Sequence, residues 1–125
     1  MPEALRAGSP LVMPRPGEAR VEAKLFRGLG DPTRLRILTM LQERERSVRE
    51  MVEEIGSFQG RVSSHLACLR WCGLVEVRRE GRHSFYRLSD PRVRQMLDLA
   101  RSFLDDNAER IEICQVIDAG GRPAD

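Results

Sequence analysis

The spacing of apolar residues switches from helical to alternating at Gly73, and that switch limits what the chain can fold into. Before Gly73 the large apolar residues recur at helical intervals. After it they alternate, as LVEVRR, then EG, then RHSFYRL, which reads as one β-hairpin with Glu80 and Gly81 near its turn. Four short helices precede the hairpin. The first runs from Ala19 to Leu29 and stops at Gly30. Asp31 and Pro32 open the second, whose apolar face is Leu35, Ile37, Leu38 and Leu41. Ser47 caps a third, containing Val48, Met51, Val52 and Ile55 and ended by Gly56. The fourth spans about Gln59 to Cys72, with Gly73 as its C-terminal glycine. Past the hairpin, Asp90 and Pro91 start a long last helix on which Val93, Met96, Leu97, Ala100 and Leu104 form one apolar stripe in need of a partner. The expected fold is mainly α with one small β-hairpin.

A chain of 125 residues has room for one domain of this kind. Residues 1–18 carry Pro2, Pro10, Pro14, Pro16, Gly8 and Gly17 and read as a flexible arm. Residues 19–117 form the folded domain, and 118–125 a frayed tail. No window approaches the roughly 18 to 20 apolar residues that span a bilayer, and the start of the chain lacks the pattern of a secretory signal, so no membrane partner and a cytoplasmic location are expected. There is no glycine-rich phosphate loop and no nucleophile paired with a base, so the chain does not read as an enzyme. The net charge of +2 says little, but 20 of the 21 basic residues are arginine and only Lys24 is lysine. Arginine suits bidentate contacts to phosphate and guanine. A compositional bias of the genome would produce the same excess.

Three cysteines are an odd number, which argues against a disulfide framework and for free thiols or metal ligands. Cys68 and Cys72 stand four residues apart on the fourth helix, so their sulfurs leave the same side about one turn apart. On a helical wheel of about 100° per residue, Val62, Leu66 and Leu69 define the core-facing arc and both cysteines fall on its flank. That placement suits ligands between elements. Ordinary packing of small apolar residues is the alternative, because this spacing alone is a weak signal. Cys114 lies far downstream. His65, one turn before Cys68, is a candidate fourth ligand, a residue facing DNA, or a helix-packing side chain.

Taken together, DPTRLRIL in the second helix, SSHLACLRWCGLV in the fourth and EGRHSFYRL in the hairpin resemble, in order and spacing, the ArsR/SmtB family of metal-responsive winged helix-turn-helix repressors, from about Ala19 to Ile117. The resemblance implies a homodimer built through the first and last helices, which binds an inverted-repeat DNA operator and releases it when metal binds. The cysteine pair of the arsenic-sensing type is missing, since SVREMVEEIG stands at the third helix. The zinc sensors' Asp/His/His/Glu set is missing too, because residues 90–117 contain no histidine. What remains is similar to the CmtR-like cadmium and lead sensors, or to a mercury-responsive member. In that type the third cysteine comes from the partner subunit, a role that falls here to Cys114. A set of Cys68, Cys72 and Cys114 favours soft ions: cadmium, lead and mercury, with As(III) also thiophilic. Zinc prefers four ligands.

For DNA, Gln59, Arg61, Ser63 and Ser64 stand at the start of the fourth helix, the end that enters the major groove in such folds, with His65 just behind. Gln59 or Arg61 would read base edges and the serines would meet phosphates. Arg78, Arg79, Arg82 and His83 would set the wing against the backbone or minor groove. Two rivals keep the architecture: a thiol redox switch pairing Cys114 with Cys68 or Cys72, and a winged-helix regulator with inert cysteines.

Overall fold

The computed structural model describes residues 15–114 and consists of α1 (Pro16–Leu29), α2 (Pro32–Glu43), β1 (Arg46–Ser47), α3 (Val48–Ile55), α4 (Gln59–Trp71), β2 (Val75–Glu80), β3 (His83–Leu88) and α5 (Pro91–Glu112). The chain divides into two compact units between Ser89 and Asp90. The expected tail 118–125 and most of the expected arm lie outside the described residues. The rest of the arm is helical: α1 begins at Pro16, three residues before the expected start. Pro16 and Gly17 read as breakers, yet proline suits the first helical position, where its missing N–H loses no intrahelical bond.

Local chemistry sets most boundaries in the first unit. The Asp31 carboxylate accepts a hydrogen bond from the Arg34 N–H at 2.9 Å and starts α2. Ser47 and Glu50 form a reciprocal capping box at α3. Gly56, with φ of +76°, ends that helix in the left-handed conformation. At the end of α4 the Leu74 N–H donates to the Leu69 carbonyl at 2.9 Å and the Gly73 N–H to the Arg70 carbonyl at 3.0 Å, the double closure of a Schellman motif around Gly73.

The core of this unit joins Ile37, Leu38, Met40 and Leu41 of α2, Met51 of α3, and Val62, Leu66 and Leu69 of α4 to Leu74 and Val75 at the root of the hairpin. The sheet has three antiparallel strands in the order β1-β3-β2. The two-residue β1 was not expected. It pairs Arg46 with Tyr86 and Ser47 with Phe85, tying the start of α3 to the hairpin. Arg46 is buried at 6% exposure, and its guanidinium donates to Glu54 at 2.5 Å and to Glu43 at 2.7 Å. The hairpin turn is Gly81-Arg82, with Gly81 at φ +59° in the first central position, as a type II′ turn requires.

The second unit is built on α5. Asp90 caps it by accepting from the Arg92 N–H at 2.8 Å, and Pro91 occupies its first turn. Val93 and Leu97 are buried, whereas Leu99, Phe103, Leu104 and Ile111 are exposed. No helix among the described residues is long and apolar enough to cross a membrane.

Candidate functional site

Helix α4 has three working faces. Val62, Leu66 and Leu69 are fully buried and fix its rotation about its own axis. That rotation turns His65, Cys68 and Cys72 to one flank and Ser63, Ala67 and Arg70 to the other. Gly60, Ser64 and Trp71 are left facing outward and exposed.

On the first flank the Cys72 N–H donates to the Cys68 carbonyl at 3.0 Å, so the two cysteines close the last turn of the helix. Their thiols are neighbours, close enough for the charge of one to act on the other. Cys68 is half-buried. Cys72 is exposed as a residue, yet its sulfur rests over α1: a Cβ added at Gly28 would sit 3.6 Å from it. Burial of the sulfur and then the charge and hydrogen bond of Cys68 push the Cys72 thiol up from its ordinary range, opposed by the nearby charges of Arg34 and Lys24. Cys72 is thereby biased toward the neutral thiol.

Arg34 fastens this corner. Its Nε donates to the Gly28 carbonyl at 2.7 Å and its Nη2 to the Arg27 carbonyl at 3.1 Å, so one guanidinium holds the C-terminal turn of α1. His65, placed with the DNA contacts in the sequence reading, is turned inward instead. Its ring Nδ1 lies 3.4 Å from Arg34 Nη1 and its Nε2 lies 3.8 Å from the Asp31 carboxylate, with 16% of the side chain exposed. These contacts pack His65 against the start of α2. Sequence patterning alone does not single out Gly28 or Arg34. The available signal was a glycine inside an otherwise regular helix, which marks a close approach.

The sulfur pair fits two positions of a soft-metal site. It offers two thiols one helical turn apart, with the adjacent helix bearing a glycine where a side chain would crowd the sulfur. Among the described residues no three Cys, His, Asp or Glu side chains converge as a metal-holding group. Cys114 follows the end of α5 and is half-buried.

The amino-terminal end of α4 presents Gln59, Arg61, Ser63 and Ser64, all exposed. Phe58 precedes them without a side-chain cap, so the first backbone N–H groups remain available to an acceptor such as phosphate. In the hairpin the four expected contacts separate. Arg78 is already engaged: it pairs with Glu45 at 2.5 Å and with Glu80 at 2.6 Å, and lies 4.8 Å from the centre of the Phe85 ring. Arg79 and Arg82 are exposed and have no ion-pair partner among the described residues. His83 is exposed beside Phe85, with ring centres 6.3 Å apart.

Residues 31–77, from the Asp31 cap to the first half of β2, match the model of bacterial regulatory proteins of the arsR family. The chain is 44% identical over 99 residues to a probable mercury resistance operon repressor of Streptomyces lividans, covering 79% of each protein. It is 41% identical over 75 residues to the transcriptional regulator CmtR of Mycobacterium bovis, covering 60% of this chain and 64% of that one. A solved structure from the same organism, described as a homodimeric winged helix-turn-helix DNA-binding domain and a possible ArsR-family regulator, superposes with a TM-score of 0.67 at 28% identity, over 77% of this chain and 92% of that one. The hairpin is thus the wing and α4 the recognition helix, and the chain belongs to the arsR family of winged helix-turn-helix transcriptional regulators.

Proposed function

We propose that this protein is a homodimeric cytoplasmic repressor that binds an inverted-repeat operator and leaves it when a thiophilic ion, Hg(II), Cd(II) or Pb(II), is bound by Cys68 and Cys72 together with the partner subunit's Cys114. The observation that carries the reading is the pair of cysteines closing the last turn of α4, Cys72 bonded by its N–H to the Cys68 carbonyl and its sulfur resting against a glycine of α1. The mercury resistance repressor among its relatives supports the choice of ion class. Exposed apolar residues on α1, Val21 and Phe26, and on α5, Leu99 and Phe103, support a dimer formed through the first and last helices.

The bound ion supplies thiolate bonds that join the sulfurs. Everything else falls to the chain's own residues. Cys68 and Cys72 give up their protons on binding, so affinity rises with pH. They sit on the helix that also carries Gln59, Arg61, Ser63 and Ser64, so any shift of α4 that completes the sulfur set re-aims the side chains that read DNA. Arg34 and Gly28 hold the neighbouring end of α1 against Cys72 and resist that shift. By linkage, the operator weakens ion binding by the factor that the ion weakens operator binding.

The test is an anaerobic titration of reduced protein with Cd(II), following the ultraviolet thiolate-to-metal charge-transfer band. One ion per subunit, with the band weakened in each of the Cys68→Ser, Cys72→Ser and Cys114→Ser variants, is the expected result. A full band in any one of the three variants would remove that cysteine from the site.

A further inference from the structure

The other flank of α4 carries a second feature that metal sensing does not use. A groove of about 490 Å³ runs between that flank and the wing, lined by Ser63, Ala67, Arg70, Trp71 and Tyr86. Resting on the DNA-binding reading above, we infer that this groove seats the sugar-phosphate backbone of one DNA strand, with Arg70 and Tyr86 as phosphate contacts. Three observations point there. The groove begins at Ser63, on the end of α4 that enters DNA, and Ala67 keeps its floor low. Arg70 is exposed, has no ion-pair partner among the described residues, and shares the groove with no acidic side chain.

The third observation comes from strand register. Val77 faces Tyr86 and Arg79 faces Ser84 across the ladder, so alternation puts Arg79 on the same face of the wing as Tyr86. Arg78, opposite Phe85, points to the other face and is held there by Glu45. The wing thus directs one uncompensated arginine toward the groove and keeps the other away from it. Arg70 lines the groove with the Tyr86 and Ser63 side chains as neutral donors, and Arg79 stands on the wing face that Tyr86 shares. This pattern fits a chain of phosphates.

The test uses the full-length, reduced, metal-free protein and a duplex that it selects from a random pool, alongside an unrelated duplex. Affinity is measured by fluorescence anisotropy across a series of KCl concentrations. Arg70→Ala is expected to weaken both duplexes by the same factor, about fivefold, and to lower the slope of log affinity against log salt by about 0.9, as loss of one phosphate contact requires. Arg70→Lys should restore the slope. Tyr86→Phe should weaken both duplexes by about threefold with the slope unchanged, because a neutral donor releases no counterion. Because Arg70 is exposed, the Arg70→Ala variant should unfold at the wild-type temperature. A wild-type slope in Arg70→Ala, or a loss confined to the selected sequence, would overturn the inference. Failure of the wild type to bind any duplex would overturn the DNA-binding reading along with it.

Discussion

Substituting Gly28 by alanine separates two roles that a buried helical glycine can have. Glycine inside a helix costs roughly 0.5 to 1 kcal/mol relative to alanine. An added Cβ at this position would meet only the Cys72 sulfur, at 3.6 Å, an ordinary contact distance. No clash offsets the gain, so the metal-free Gly28→Ala protein should be more stable by about 0.5 kcal/mol, the low end of that range because the site lies in the last turn of α1. For a domain of this size that raises the thermal midpoint by about 2 to 4 °C. The ion sees the opposite effect. Metal–sulfur bonds are about 2.3 Å for zinc and longer for larger soft ions, so an ion on Cys72 shares the space above Gly28 with the new methyl group. Cd(II) affinity should fall about tenfold, or about 1.4 kcal/mol, while operator affinity in the absence of metal stays at the wild-type value. Differential scanning calorimetry and competition titration with a chelator read the two quantities. A lower midpoint would refute the packing argument. A raised midpoint with unchanged Cd(II) affinity would refute the idea that this glycine keeps space open for the ion.

Further outcomes follow from the same geometry. Arg46→Ala should destabilise the protein by about 2 kcal/mol: breaking a fully buried pair costs about 3 to 5 kcal/mol, and here Glu43 and Glu54 are exposed and stay hydrated once the arginine is gone. Arg46→Met, which keeps the volume, should cost less in a urea titration, and equal costs would contradict this account. Acid stability follows the carboxylates. Hydrogen bonds from the Arg92 side chain and backbone bring Asp90 down to about 2, the Arg78 side chain lowers Glu45, and the Arg44 side chain lowers Glu50. Groups lowered by folding stabilise the native state above their unfolded values near 4 and lose that contribution as pH falls through the folded values. The urea midpoint should therefore change little from pH 7 to about 5 and drop between about 4 and 2, and a decline already complete by pH 5 would assign acid sensitivity to other groups. In the wing, Arg79→Ala should weaken DNA binding several-fold whereas Arg78→Ala should mainly lower the thermal midpoint. A reversal of those effects would mean that Arg78 leaves Glu45 to meet DNA.

Much of this molecule is legible in its sequence because its boundaries are written in local chemistry. Asp31-Pro32, Ser47 with Glu50, Gly56, Gly73 and Asp90-Pro91 act within one turn of where they stand, and each marks an observed helix end. The flank position of Cys68 and Cys72 follows from helical spacing alone. What the sequence hides is contact between distant residues. The ion pair of Arg78 with Glu45 joins residues 33 apart and leaves no trace in the local pattern. His65 has the right flank for several roles, and its contacts with the α2 cap Asp31 and with Arg34 are not written in its own helix. Arg46 carries a charge that reads as surface, and a two-residue strand has no periodicity to detect, so β1 and its buried arginine were both missed. The place of Gly28 beneath Cys72 depends on how α1 and α4 approach, which no pattern within either helix encodes.

In the proposed function the cysteines of α4 couple a soft ion to the release of DNA. The most direct measurement is anaerobic operator binding, by fluorescence anisotropy, of the wild type and of the Cys68→Ser and Cys72→Ser variants, each with and without one equivalent of Cd(II) or Hg(II) per subunit. Equal metal-free affinities are expected for all three proteins. The ion should weaken wild-type binding by about 5- to 150-fold, the ordinary range of such coupling, and leave both variants bound. Variants that release the operator as the wild type does, or a wild type that stays bound with the ion present, would contradict it.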